Sequence, residues 1–417
     1  MDALLNIVRG ILGLGAGTML PIFITIFGLV FKMGFGKALK SGLLIGIGFQ
    51  GLNLVVGLLR TTITPVVDVF AKSGQGFTIV DMGWQTLAAA AWATPFAALV
   101  VPLGFLLNLA LIYAKFTNTL NVDLWNYWHF IFGGTLVYVV TKSYLAGLGF
   151  ALFLSVLSLK LGDIIAPRWQ EYFGVPGTTC TTIYHLTTLQ PFAILTNKIV
   201  DFIPGLNRWD ISPGKIKEKY GMLGEPAIQG LLAGSLLAVI ARLKLTQVLQ
   251  VGVGVSATMI LMPRMVSLLM EGLTPIGRAA KASMESRLGG RDLNIGMDIA
   301  LGLGDPTVIT GAILMVPITV GLALVIPGNR YFPLAMLASL AYQVTLNAMW
   351  SKGNLLRSIL GTSLIMVYTI FAFNYMAPFC TDVVRWAGIS TPGLVVGGAL
   401  QSLPNFIVTV IANLVRR

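Results

Sequence analysis

The chain has 417 residues, 56% of them hydrophobic and only 11% charged, with a mean hydropathy of +0.83. A soluble domain of ordinary composition carries about 25% charged residues, so a water-soluble globule of this size is excluded. The net charge of +12 would suit a nucleic-acid binder, but Lys and Arg sit between apolar runs, as the flanks of membrane spans do, and no basic cluster is interleaved with stacking aromatics. The expected surroundings are therefore a lipid bilayer and not nucleic acid.

The opening MDALLNIVRG lacks a basic n-region and a small-residue cleavage site, so the first apolar run is expected to stay as a span. A transmembrane helix needs about 20 mostly apolar residues. Uncharged runs cover 10–31, 41–59, 82–114, 124–141, 143–159, 172–197, 226–241, 245–263, 306–329, 331–351, 358–381 and 386–415. The run 82–114 exceeds one span and carries Pro95 and Pro102. The run 172–197 contains VPGTTCTTIYHLTTLQP, too polar and too punctuated for a lipid-facing helix. Irregular backbone at membrane depth is tolerated only when buried in protein or lining a cavity, so 172–192 reads as a re-entrant segment, and 124–136 reads similarly. The expected fold is an all-α polytopic membrane protein with roughly ten transmembrane helices plus two re-entrant hairpins. The hydrophilic stretches 60–81, 198–224 and 277–293 are too short to be soluble domains, and the last reads as a basic amphipathic surface helix.

An internal repeat divides the chain near 198–224. KSGLLIGIGF (40–49) resembles LQVGVGVSAT (249–258), TIVDMG (78–83) resembles NIGMDIA (294–300), and VPLGFLLNLALI (101–112) resembles VPITVGLALVIP (316–327), all in the same order. Two structurally related halves are expected, an arrangement that in transporters puts the substrate site at the repeat interface. Lys32, Lys37 and Lys40 put the loop 32–40 in the cytoplasm by the positive-inside rule. The same rule applies to Arg242 and Lys244 at the matching place, whereas an inverted repeat would put that loop on the opposite side.

Ionisable and polar groups at membrane depth are costly and so are functional candidates. NVDLWNYWHFIFGG groups Asn126 and His129 with Asp123, Trp125 and Trp128, a mixture that can bind hydroxyls and stack on a polyol; the alternative is an interfacial aromatic belt. Thr181, His185 and Gln190 lie in the polar segment and read as a cavity lining. Glu225 opens a span in LGEPAIQG, where it either touches substrate or complements the helix dipole. In GLGDPTVITG, Asp305 and Thr307 stand at a glycine-marked helix break suited to hydroxyl binding. Asp81 and Asp298 occupy matching places in the repeat and read as span caps. No Walker A loop, HExxH or Ser-His-Asp set is visible. Cys180 and Cys380 match no metal-ligand spacing. No catalytic, metal or cofactor site is therefore expected. Besides a substrate carrier of this kind, an ion-coupled secondary transporter and a lipid-acting enzyme stay open.

One further pattern spans the chain. LPIFITIFG, GLLIGIGFQGLNLVVGL, VDMGW, NVDLWNYWH, IPGLNR, GEPAIQG, LMPR with GLTPI, PGN at 327–329 and GNLLRS occur in order from about residue 10 to 375. In these the chain resembles the membrane-embedded IIC component of the galactitol-type phosphotransferase system, in the ascorbate–galactitol superfamily of permeases. The resemblance implies a single membrane domain over 1–417 in a bacterial inner membrane, importing galactitol or a related polyol and releasing it as a phosphate ester. The phosphoryl group would come from phosphoenolpyruvate through separate IIA and IIB proteins. It further implies a homodimer with a dimerising scaffold (spans near 10–59 and 226–263) and a moving, elevator-like core (82–197 and 294–381). By position it gathers the substrate around Trp84 and Gln85, Asn126 and His129, His185, and Asp305.

Overall fold

The computed structural model describes residues 16–72, 76–123, 125–204, 209, 211–212, 225–288, 292–337, 339–391 and 393–415. Most of the polar mid-chain stretch expected at 198–224 therefore lies outside the described residues. Helices dominate the rest. Three are long and apolar enough to cross a bilayer, Tyr144–Phe173, Pro306–Val325 and Leu355–Trp386, and shorter apolar helices add to them, among them Trp128–Thr141 and Leu403–Leu414. The chain is a polytopic helical membrane protein. Its contacts divide it into two compact units, Met1–Asn53 with Ala88–Leu186 and Arg264–Leu301, and Leu54–Leu87 with Thr187–Pro263 and Gly302–Arg417.

In the first unit, α1 (Ala16–Val30) turns into α2 (Phe35–Ala71). The turn closes with Lys32 in the left-handed region at φ 60°, its neighbours bonding back to Phe27, Gly28 and Leu29 as in a helix-ending Schellman turn. Glycine permits the two helices to touch: a Cβ on Gly28 would lie 2.7 Å from that of Ala38. Helix α4 (Ala97–Tyr113), which follows α3 (Gly83–Ala93), leads to strand β2 (Thr119–Asn121), the short helix α5 (Trp128–Thr141) and the long helix α6 (Tyr144–Phe173). Gly134 and Gly147 bring α5 and α6 into backbone contact, since a Cβ on either would meet the other's carbonyl oxygen at 2.7 and 2.6 Å. Strand β3 (Thr178–Cys180) follows. The rear of a 44-residue helix, α9 (Leu245–Leu288), and strand β4 (Asn294–Met297) complete the unit. Helix α9 takes in the stretch expected as a basic surface helix as far as Leu288, with the side chains from 281 on outside the described residues.

The all-helical expectation lacks the strands. In this unit β2, β4 and β3 form a parallel sheet in that order, pairing Leu120 with Ile295 and Thr179 with Gly296. Three or four residues are too few for a period-2 signal, and the strands come from chain segments more than 50 residues apart.

The second unit repeats the pattern with the halves exchanged. Helix α7 (Gln190–Phe202) is followed by α8 (Pro226–Ile240), which turns into α9 through Arg242 at φ 55° with the same bonding as at Lys32. Strand β1 (Ile79–Asp81) pairs in parallel with β5 (Leu394–Val396), and Ile79 also bridges to Tyr331. Helices α10 (Pro306–Val325), α11 (Leu340–Trp350), α12 (Leu355–Trp386) and α13 (Leu403–Val415) pack in this unit. The loop residues Trp209 and Ile211 dock on the N-terminus of α12, their carbonyls accepting from Asn354 Nδ2 (2.7 Å) and Leu355 N (2.6 Å).

Replacing Gly147 with Leu must push α5 off α6, since overpacking of this kind costs about 1–3 kcal/mol. We expect a lowered unfolding temperature for the detergent-purified protein by differential scanning fluorimetry, while the same change at the uncrowded Gly149 of α6, which meets nothing within 4 Å, leaves it within a degree or so of the parent.

Candidate functional site

The sheet of the first unit positions the site. A strand edge inside a membrane protein has to be satisfied by protein. Asn108 of α4, fully buried, does this for β2: its Nδ2 donates to Thr119 O (2.8 Å) and its Oδ1 accepts from Asn121 N (2.9 Å), so one amide replaces a missing strand. On the β3 side, Gln170 of α6 donates to Thr178 O (3.0 Å) and accepts from Gly177 N (3.1 Å), and Trp169 Nε1 donates to Thr178 Oγ1 (3.2 Å). Asp163 accepts from Asn118 N (3.0 Å) and Thr119 Oγ1 (2.8 Å).

Because the strands are parallel, all three release their chains at one edge. Asp123 and Asn126 follow β2, Thr181, Thr182 and His185 follow β3, and Asp298 follows β4. Asn121 Oδ1 ties two of these exits together, accepting from Asp123 N (3.0 Å) and Thr181 Oγ1 (3.2 Å). The central strand leaves room for this only as glycine, since a Cβ on Gly296 would lie 2.5 Å from the Thr181 methyl.

Asn126 Nδ2 donates to Asp123 Oδ2 at 2.7 Å, while its Oδ1 accepts from Trp128 Nε1 at 3.2 Å. Trp128 stacks on His129 with ring centres 3.8 Å apart, and His185 is the electrostatic neighbour of His129. Asp298 Oδ1 accepts from Ala300 N (3.2 Å) and lies 3.4 Å from the Thr182 hydroxyl, which in turn accepts from Ile299 N (3.1 Å). Asp123, Asn126, His129, Thr181, Thr182 and His185 are each at most 9% exposed. In the non-helical strand exits, burial and then the Asp298 carboxyl push Asp123 well above the ordinary carboxylate range, and Asp298 is raised by desolvation.

Four expected site residues, Asn126, His129, Thr181 and His185, thus meet at one sheet edge. The other six belong to the second unit and are spread over separate elements. Trp84 of α3 stands edge-on to Tyr342 at 6.4 Å, beside Gly398. Gln85 follows it in α3, with its side chain outside the described residues. Gln190 opens α7 after a π-helical turn (His185–Leu189), buried, with no hydrogen-bond partner for its Oε1 among the described residues. Glu225 is exposed at the N-terminus of α8 and makes no side-chain cap bond. Asp305 caps α10, accepting from Thr307 N (2.9 Å) and Val308 N (3.1 Å), and the Thr307 hydroxyl donates to Gly353 O (3.2 Å). Asp81 is also structural: its carboxylate accepts from Gly83 N (3.0 Å), Tyr331 hydroxyl (2.9 Å) and Met336 N (2.9 Å).

In the sequence Asp123 and Thr182 stand out only as neighbours of the candidate residues, and Asp298 reads as a cap. The signal that marks the two carboxylates is local: TLNVD and NIGMD each place an Asp just past a short β-forming trio.

Fold and site together define a membrane permease of helical architecture with a buried polar centre. Residues 10–393 match the family described as PTS system sugar-specific permease component (EIIC-GAT). The chain is 34% identical over 401 residues to the PTS system galactitol-specific EIIC component of Escherichia coli (strain K12), covering 95% of this chain and 87% of the relative. It has the same identity and coverage with the component of that name in Escherichia coli O157:H7. The chain belongs to this family of sugar-specific permease components of the phosphotransferase system.

The cap reading of Asp305 has a direct check. Asp305→Ala should cost about 1 kcal/mol of stability, and Asp305→Ser, which can still cap, only a few tenths. Thermal unfolding of the purified variants measures this; equal losses for Ala and Ser would refute capping as the carboxylate's role.

Proposed function

We propose that this permease component imports galactitol or a closely related polyol, which leaves the site as its phosphate ester. The observation that carries the reading is the buried edge of the first unit's sheet. Two carboxyls, a side-chain amide and two imidazoles there offer a dense set of acceptors and donors for a chain of hydroxyls, and Trp128 offers an apolar face. Neutral polyols need such paired polar groups because every hydroxyl removed from water must be rebonded. The galactitol-specific relatives favour that substrate class.

The substrate contacts in this reading are Asn126, His129, Thr181 and His185, extended here by Asp123, Thr182 and Asp298. Trp84, Gln85, Gln190, Glu225, Asp305 and Thr307 complete the expected set, with Asp305 and Thr307 acting through their backbone bonds at the helix start. The chain would lie in a bacterial inner membrane as a multi-pass homodimer with roughly ten spans and two re-entrant hairpins. Spans near 10–59 and 226–263 would act as a scaffold and 82–197 with 294–381 as the moving, elevator-like core. The exchange of strands between chain halves, with β4 between β2 and β3 and β1 between β5 and Tyr331, supports two structurally related halves. Phosphoryl transfer would need separate IIB and IIA proteins fed by phosphoenolpyruvate.

The two carboxyls at this edge also favour a second reading, an ion-coupled polyol carrier, since intramembrane carboxyls serve proton relays. Uptake into vesicles separates the two. We expect labelled galactitol to accumulate only with phosphorylated IIB present and to be recovered as a phosphate; accumulation of free polyol under a proton gradient alone would support the carrier instead. Isothermal titration of purified protein should show His129→Ala and His185→Ala weakening polyol binding by tenfold or more, about 1.4 kcal/mol, with the elution profile unchanged. Binding at parental strength in both variants would remove the imidazoles from the site.

A further inference from the structure

Thr181 leaves β3 on a main-chain bond from its N–H to Met297 O (2.9 Å). Its side chain has little freedom. A β-branched residue is stiff at its first torsion, and the methyl packs so close to Gly296 that a Cβ there would lie 2.5 Å from it. The hydroxyl faces Asn121 Oδ1 at 3.2 Å, with Met297 O at 3.4 Å. A third group settles which end of the Asn121 amide it meets. The Asp123 backbone N–H can only donate, and it lies 3.0 Å from the same Oδ1, so the amide oxygen is held at that place. Both atoms that face the Thr181 hydroxyl are thus acceptors. Its one hydrogen is committed to the protein, and its oxygen keeps only lone pairs for a ligand. Thr181 is 3% exposed and Asn121 2%, so the bond between them is shielded from bulk water.

We infer that Thr181 is a specificity-determining residue that accepts a hydrogen bond from a substrate hydroxyl, and that Asn121 is the positioning residue that keeps it from donating. This rests on the reading of the sheet edge as the polyol site and names what that site selects. An alditol carries a hydroxyl on every carbon, and each can donate. A carbonyl, an ether oxygen or a fluorine at the contacted carbon can only accept. It would face the Thr181 oxygen with no hydrogen between them. A site built to pair with a hydroxyl rejects such an analogue because a buried polar atom is left unpaired. Thr181 and Asn121 together therefore favour alditols over sugars that carry a carbonyl at that carbon, and they do so without a charged group.

The test is isothermal titration of the full-length protein in detergent with galactitol, its monodeoxy analogues and its monodeoxyfluoro analogues. At the contacted carbon, both replacements should weaken binding to the parent protein by about tenfold, with fluorine no better than hydrogen, since neither donates. Thr181→Val should bind galactitol more weakly and lose the difference, so that hydroxyl, fluorine and hydrogen at that carbon bind within about twofold of one another. Asn121→Asp keeps an oxygen acceptor and should keep the discrimination. Asn121→Leu leaves only the longer Met297 contact and should narrow it; affinity falling alike for all three ligands in that variant would overturn the positioning role. Fluorine restoring affinity at every carbon where a missing hydroxyl lowers it, or a difference that Thr181→Val leaves intact, would overturn the inference while the polyol site stands. The comparison of fluorine with hydrogen needs only the parent protein, so it decides even where a variant fails to fold. If the parent binds neither galactitol nor another alditol, the polyol reading itself fails.

Discussion

A backbone N–H or C=O left open inside a bilayer costs several kcal/mol, and no water is at hand to relieve it. That constraint organises this protein. A helix meets it internally, but a chain that must present polar side chains at membrane depth has to interrupt its helices, and each interruption exposes backbone. Here the interruptions meet the constraint by pairing with one another. Strands of three or four residues from distant parts of the chain form small parallel sheets, and side-chain amides close the edges that remain. Asn108 bonds to β2 through both ends of its amide, and Gln170 does the same across the start of β3. Asn329, the Asn of the PGN turn, works likewise in the second unit, donating to Ala323 O and Tyr331 O and accepting from Tyr331 N.

The parallel direction of the strands then decides where chemistry can occur. Antiparallel pairing would send successive chain ends to opposite edges of a sheet, whereas parallel pairing sends them all to one. Residues that follow β2, β3 and β4 must converge, although β2 and β4 lie more than 170 positions apart. Helix packing supports the convergence. Gly134 and Gly147 draw α5 against α6, which fixes the helix carrying His129 relative to the helix that clamps β3.

This division also explains what was legible in the sequence. Long apolar runs reveal spans because lipid imposes length and composition directly, and Tyr144–Phe173, Pro306–Val325 and Leu355–Trp386 fall on the uncharged runs. Polar interruptions mark candidate residues because nothing in lipid accounts for Thr-rich or His-bearing segments, and Asn126, His129, Thr181 and His185 stand out that way. The pairing of the interruptions was not legible. A trio such as Thr178–Cys180 has no periodicity, and its partner Ile295–Met297 lies more than 110 positions further on. Asp298 consequently looked like a helix cap, because its lateral neighbours Asn126 and Thr182 belong to other segments. Asp305 poses the opposite problem: a helix break with an acid looks like a binding site, but Thr307 N and Val308 N already use one of its oxygens.

The contrast between the two sheets shows why similar carboxylates take different parts. Asp81 at the end of β1 receives its bonds from two backbone N–H groups and the fully buried Tyr331 hydroxyl. Rigid donors of this kind leave the carboxylate as a staple between β1, the start of α3 and the segment around Met336. Asp123 is bonded instead by the Asn126 side-chain amide, with a long 3.4 Å contact from Asn126 N, and Asp298 combines one backbone donor, Ala300 N at 3.2 Å, with a long 3.4 Å contact from the Thr182 hydroxyl. A side-chain amide and a hydroxyl can turn toward an incoming hydroxyl group at little cost, which backbone donors fixed in a turn cannot do. An Asp at a strand end is therefore structural or functional according to what bonds to it, and in this protein the exchangeable donors are found at the sheet edge of the first unit.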